Sequence, residues 1–117
     1  GPLSIVTQAL CDAKHITELP PSVFWPPPRR TSSMLRLDWN ANKAARVTDP
    51  MHFVNVVRTC FLHRRKRLSH ALAYLYGGKK STLPDHIKTA ELNRRPEELS
   101  IDQWIELADR IRTHEQE

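Results

Sequence analysis

The chain has 117 residues, 39% of them hydrophobic and 26% charged, and a formal net charge of +5 at pH 7. That is enough for one modest globular domain with its own core and excludes a disordered, low-hydrophobicity chain. No apolar run approaches the ~20 residues that span a bilayer, no secretory leader is recognisable, and Cys11 and Cys60 lack the Cys-x-x-Cys or Cys/His spacing of a zinc site. The expectation is therefore a cytoplasmic protein with two reduced thiols, no metal and no membrane.

Residues 1–4, Gly-Pro-Leu-Ser, read as an expression-tag remnant and are set aside. Residues 5–11 (IVTQALC) suit the tail of a helix, and residues 13–19 (AKHITEL) alternate as a strand that Pro20-Pro21 ends, because proline cannot donate to a ladder. A proline-rich loop, VFWPPPRRTSS over residues 23–33, leads to a second strand at 32–39 (SSMLRLDW). Two strands alone are marginal in water, so this hairpin needs a helix to pack on or a larger sheet.

From residue 49 the pattern is helical. Asp49 is an N-cap and Pro50 fits the first helical position. Phe53, Val54, Val57 and Phe61 recur at helical spacing, then Leu68, Leu72 and Leu75, and Gly77-Gly78 stops the run. A short helix is expected over 83–92, with Thr82 and Pro84 near its start. The last helix begins at a capping box of Ser100 and Gln103, with Leu99 stapled onto Trp104, and buries Trp104, Leu107, Ala108 and Ile111.

Where the core stripe between 61 and 68 needs an apolar residue, at 64 or 65, both positions are arginine. An unpaired guanidinium is not buried. Either the helix breaks near 65–67, or an arginine pairs with a carboxylate such as Glu97 or Glu98, or that face opens onto solvent and a partner. The run HRRKRLSH is then either a solvated face or a phosphate-contacting patch, for which arginine's forked donors are suited. Phe24 and Trp25 either cap the core, or a stiff loop holds a ring for stacking on a nucleobase while Arg29 and Arg30 hold the backbone.

Three segments together resemble a known family. LPPSVFWPPPRRTSSMLRL (19–37) is similar to the hydrophobic-P-P-x-x-F-x-P-P-P-K-V-x-S segment of the KsgA family of small-subunit ribosomal RNA adenine dimethyltransferases, relatives of the Erm resistance methylases. FVNVVRTCFLHRRKRLSHAL (53–72) resembles its F-x-x-h-h-x-x-x-F-x-x-R-R-K-x-L-x-x-A-L stretch, and RRPEELSIDQWIELADRI (94–111) its closing R-P-E-x-L-S helix. They occur in family order and span most of residues 5–111. The resemblance implies a Rossmann-like methyltransferase domain followed by a helical domain, which together dimethylate N6 of two adjacent adenosines near the 3′ end of small-subunit rRNA from S-adenosylmethionine. It implies that Phe24 stacks on the target base. Arg29 keeps the charge of the family lysine, whereas Arg30 replaces the usual valine.

The family's glycine-rich cofactor turn and N-h-P-aromatic motif are absent: the glycines are Gly1, Gly77 and Gly78, and none of Asn40, Asn42, Asn55 or Asn93 is followed by that motif. The expected fold is mainly α with a small β-hairpin: the C-terminal helical domain of a Rossmann-like methyltransferase, preceded by its last helix and two strands. The expected units are 5–40, the edge of the methyltransferase domain, and 41–117, a helical rRNA-binding domain. The fragment is expected to bind small-subunit rRNA or a 30S-like pre-ribosomal subunit through Arg29, Arg30, Arg58, Arg64, Arg65, Lys66, Arg67, Lys79 and Lys80. It is expected neither to bind S-adenosylmethionine nor to transfer methyl groups. The rivals are a non-enzymatic basic nucleic-acid-binding or ribosome-assembly module, since some members of the wider family are mitochondrial transcription factors, and a protein-interaction bundle using the acidic last helix.

Overall fold

The computed structural model describes residues 1–76, 83–87 and 90–116. It is mainly helical with one two-stranded antiparallel hairpin. Helix α1 runs over Pro2–Leu10, with proline in its first turn, where a missing N–H costs nothing. Residues 2–4, set aside from the sequence as a tag remnant, thus form the start of this helix, and the Gln8 amide donates to Ser4 Oγ at 2.7 Å one turn away. Ala9 and Leu10 are buried in the same core as the later helices.

The chain turns directly from α1 into strand β1 (Cys11–Leu19), which pairs with β2 (Ser32–Trp39) from Cys11↔Trp39 to Leu19↔Ser32. The register shifts between His15 and Thr17, so Ile16 has no opposite number and the ribbon bulges there. Leu35, Leu37 and Trp39 lie on one face by the two-residue repeat of a strand and are about half exposed. Among the described residues, the hydrogen bonds and ion pair that tie the hairpin to the helices lie at its base. Asn40 N–H donates to Leu10 O at 3.0 Å, Lys43 Nζ donates to Cys11 O at 3.1 Å, and Lys43 Nζ lies 3.0 Å from Asp12 Oδ1. Asn40 also caps the short helix α2 (Ala41–Ala44), its Oδ1 accepting from Lys43 N–H. The projecting ribbon raises the radius of gyration to 16.9 Å, against about 13 Å for a compact domain of this length.

Helix α3 (Pro50–Leu62) starts as its sequence dictates, with Asp49 Oδ1 accepting from His52 N–H at 3.2 Å and Pro50 at its first position. It buries Phe53, Val56, Val57 and Cys60. The pattern read from the sequence held Phe53 and Val57 but named Val54 and Phe61, which are half-buried, in place of Val56 and Cys60. The helix ends at Leu62, and the arginine interruption is resolved by a break: residues 63–67 form a turn, and helix α4 (Leu68–Ala71) and a 3-10 turn (Leu72–Tyr76) carry the core stripe on through Leu68 and Leu72.

The single helix expected over 83–92 is instead two short 3-10 turns, Asp85–Ile87 and Ala90–Asn93, with Leu83, Ile87 and Leu92 buried. Gly77-Gly78 and Thr82 lie outside the described residues. A third turn, Pro96–Glu98, leads to α5 (Ile101–Gln116). There the capping box is formed in both directions: Gln103 N–H donates to Ser100 Oγ at 3.2 Å, and Ser100 N–H donates to Gln103 Oε1 at 2.9 Å. Leu99, Trp104, Leu107, Ala108 and Ile111 are all buried, and Trp104 stacks on Phe61 with centroids 5.8 Å apart. His52 Nε2 lies 3.0 Å from Ala108 O and ties α3 to α5 a second time. Each of the large side chains closed off in this core contributes about 1.5–3 kcal/mol by its burial, which sets the α3–α5 packing as the frame for everything displayed on the turn at 63–67.

Candidate nucleic-acid interface

The turn at 63–67 follows from two local facts. His63 closes α3 with φ −120° and ψ 39°, outside helical geometry, and Leu68 is fully buried, which reverses the chain back into the core. The side chains between, Arg64, Arg65, Lys66 and Arg67, are all exposed. Among the described residues, neither Arg64, Arg65, Arg67 nor Arg58 has a carboxylate partner, whereas Arg36, Lys43, Arg46 and Arg110 each face an acid, Arg46 pairing with Asp102. No carboxylate among the described residues neutralises these arginines, so their potential is available to an external anion.

Arg58 joins the cluster from one turn back on α3. Arg58 and Arg64 together line a shallow open groove of about 150 Å³ with Pro2, Phe61 and Leu62. Two further cations, not singled out from the sequence, arrive from the other side: Leu68 N–H donates to Arg94 O at 2.8 Å, so the exposed Arg94 and Arg95 run beside Arg67 and Leu68. That juxtaposition joins residues far apart in the chain and has no periodic signature. The doublet itself is the one sequence signal that could have pointed to it.

The turn also carries an aromatic pair that was missed. Tyr74 stacks on His63, centroids 3.8 Å apart and planes 6° from parallel, and Lys66 Nζ donates to Tyr74 Oη at 3.3 Å.

The second expected cluster is elsewhere. Phe24 is 40% exposed and Trp25 94% exposed in the proline loop, with Arg29 and Arg30 exposed beside them. This loop is the tip of the hairpin, about 25 Å from its base at ~3.3 Å per residue. The fold therefore brings Arg58 and the four bases of the turn together, and keeps Phe24, Arg29 and Arg30 as a separate group. Lys79 and Lys80 lie outside the described residues.

The cysteines offer no chemistry. Burial pushes the Cys60 thiol up to about 12, and Cys11 is half-buried at the start of β1. Among the described residues no group of three His, Cys, Asp or Glu side chains could hold a metal ion, and no helix is long and apolar enough to cross a membrane. The described residues do not fit S-adenosylmethionine. One open groove of about 380 Å³, between α1, the hairpin base and α5, is roomy enough, but its single carboxylate, Asp102, is held by Arg46 and no glycine turn lines it.

The model of the ribosomal RNA adenine dimethylase family matches residues 1–113. The chain belongs to this family. It is 33% identical over 113 residues to the ribosomal RNA small subunit methyltransferase A of Desulfitobacterium hafniense, covering 95% of this chain and 40% of that protein. It is 36% identical over 117 residues to the protein of the same name from Bacillus licheniformis, with 96% and 40% covered. The chain thus spans about 40% of the length of the curated relatives it matches. A crystal structure of the 23S rRNA methyltransferase ErmE aligns over 96% of this chain and 46% of that one at 21% identity, with a TM-score of 0.43, a likeness too slight to carry an argument.

Proposed function

We propose that this chain is the C-terminal part of an S-adenosylmethionine-dependent rRNA adenine dimethyltransferase that dimethylates N6 of two adjacent adenosines near the 3′ end of small-subunit rRNA. The part of the enzyme that this chain lacks supplies the cofactor site and the chemistry. The chain itself binds the rRNA of a 30S-like pre-ribosomal subunit in the cytoplasm and transfers no methyl group. Residues 5–40 are the edge of the catalytic domain and 41–117 the rRNA-binding unit.

The observation that carries this reading is the turn at 63–67, where Arg64, Arg65, Lys66 and Arg67 stand exposed and the arginines face no carboxylate. These four, with Arg58, contact phosphates, helped by Lys79 and Lys80. Two exposed features support the fragment reading. The face of Leu35, Leu37 and Trp39 is apolar and uncovered, which a free-standing ribbon does not sustain and a larger sheet accounts for. In the parent enzyme Phe24 stacks on the flipped adenine, as base-modifying enzymes require, with Arg29 and Arg30 on the flanking backbone.

The test is the Arg64→Ala/Arg65→Ala double variant against the small-subunit rRNA 3′ hairpin in a salt series. Losing two phosphate contacts reduces the slope of log K against log salt by about 1.4–1.8 and weakens binding at every salt concentration. An unchanged affinity and slope in the double variant rejects the assignment of the interface to this turn.

A further inference from the structure

The stacked pair in the basic turn has more structure than phosphate binding needs. His63 ends α3, and Tyr74 comes from the 3-10 turn Leu72–Tyr76, so the contact closes the turn over the buried Leu68, Ala71 and Leu72. Two restraints hold the phenol ring. The imidazole lies flat against one face, 3.8 Å between centroids and 6° from parallel. The Lys66 ammonium holds the other end, 3.3 Å from the hydroxyl oxygen but 5.6 Å from the ring centroid, so it sits off the hydroxyl tip and leaves the middle of the ring uncovered. With one face against His63, Tyr74 remains 47% exposed. No second ring stacks on Tyr74 among the described residues, and the exposed Arg64, Arg65, Lys66 and Arg67 follow His63 directly in the chain.

We propose that the free face of Tyr74, backed by His63 and tethered by Lys66, is a stacking site for one unpaired nucleobase of RNA. This site rests on the reading of the turn as an RNA interface and adds a base contact to its phosphate contacts. A ring immobilised on one side and open on the other loses little freedom when a base covers it, and the surrounding cations neutralise the phosphates on either side of that base. Stacking of this kind tolerates any base, since every base has a π-face, but it requires that one be unpaired. The site therefore selects single-stranded or bulged RNA over a continuous helix, which phosphate contacts alone do not do.

The experiment compares two probes on the full chain by fluorescence anisotropy at fixed salt: a 12-nucleotide oligoadenylate, and the same backbone with base-less tetrahydrofuran spacers. The wild type is expected to bind the oligoadenylate about 5- to 100-fold more tightly than the base-less strand. Tyr74→Leu should erase that preference and keep the salt slope, whereas Tyr74→Phe, which keeps the ring, should retain it. Arg64→Ala/Arg65→Ala should weaken both probes together. Equal wild-type affinity for the two probes, with the arginine variant still weakened, overturns the stacking site and leaves the phosphate interface standing. If neither probe binds the wild type, both readings fall. Equal wild-type affinity overturns the site even if the Tyr74 variants fold poorly, and a preference that survives in folded Tyr74→Leu belongs to exposed Phe24 or Trp25 and overturns it as well.

Discussion

Trp104 is the residue on which the frame of the interface depends, and its geometry makes a two-sided prediction. The indole is fully buried, stacks on Phe61 across the α3–α5 contact, and has an Nε1–H with no hydrogen-bond partner among the described residues. Trp104→Ala removes the whole ring and leaves a cavity, at a cost of about 3–5 kcal/mol. That is a large share of the 5–15 kcal/mol by which domains are ordinarily stable, so a substantial fraction of the variant is unfolded at 37 °C. Trp104→Phe behaves differently. It keeps the stack on Phe61 and loses one ring of the indole, a packing loss of roughly 1–2 kcal/mol. It also removes a buried unpaired donor whose desolvation penalty is about 1–3 kcal/mol. The two terms nearly cancel, so Trp104→Phe stays within about 1 kcal/mol of the parent. Urea unfolding followed by far-ultraviolet circular dichroism measures both variants, with an unchanged m-value as the check that the unfolded states are comparable. A Trp104→Phe cost as large as that of Trp104→Ala would refute the reasoning, because the indole N–H would then have to be contributing a bond.

Four further outcomes follow from the same structure. The Cys60 thiol, pushed up to about 12 by burial, stays inert to Ellman's reagent at pH 8 while half-buried Cys11 is modified first, and mass spectrometry of the partly labelled chain reads the order. Because the native Cys60 thiol holds its proton above the ordinary 9.0, its contribution is fully present below pH 9 and is lost as pH rises from there toward 12, so the alkaline limb of the stability curve shifts up in Cys60→Ala. At the hairpin base, hydrogen bonding from Asn40 and then Lys43 lowers the Asp12 carboxyl below its usual 3.8. Its contribution is present above that value and lost as pH falls through the lower folded one, and a two-dimensional NMR titration should show the Asn40 and Lys43 amides moving there and not in Asp12→Asn. Replacing Leu35 and Leu37 with threonine leaves unfolding within about 0.5 kcal/mol, since both are about half exposed, and lowers any concentration-dependent association seen by sedimentation.

Local chemistry made several elements legible in the sequence. The β2 strand at 32–39, the Asp49–Pro50 start of α3 and the Ser100–Gln103 box each rest on residues within a few positions of one another, where backbone preference and capping decide the outcome. The break in the long helical run was visible as two arginines at a core position, with the manner of its resolution left open. Tertiary context decided the rest. Pro2–Ser4 looked dispensable but join α1, whose far end packs Ala9 and Leu10 into the core. Around 83–92 the described residues bury Leu83, Ile87 and Leu92 from two 3-10 turns, which suffice to present them. The stack of His63 on Tyr74 and the approach of Arg94 to Leu68 are contacts between segments, and no spacing rule along the chain announces them.

The most direct test of the account is binding of the unmodified chain to the small-subunit rRNA 3′ hairpin and to a scrambled hairpin, by anisotropy from low to physiological salt. An interface of about five phosphate contacts, the four bases of the turn and Arg58, predicts a log–log slope of about −3.5 to −4.5. The account predicts that slope for both RNAs with similar affinities. Absence of binding to either RNA at low salt would contradict it and return the four bases of the turn to the role of a solvated face.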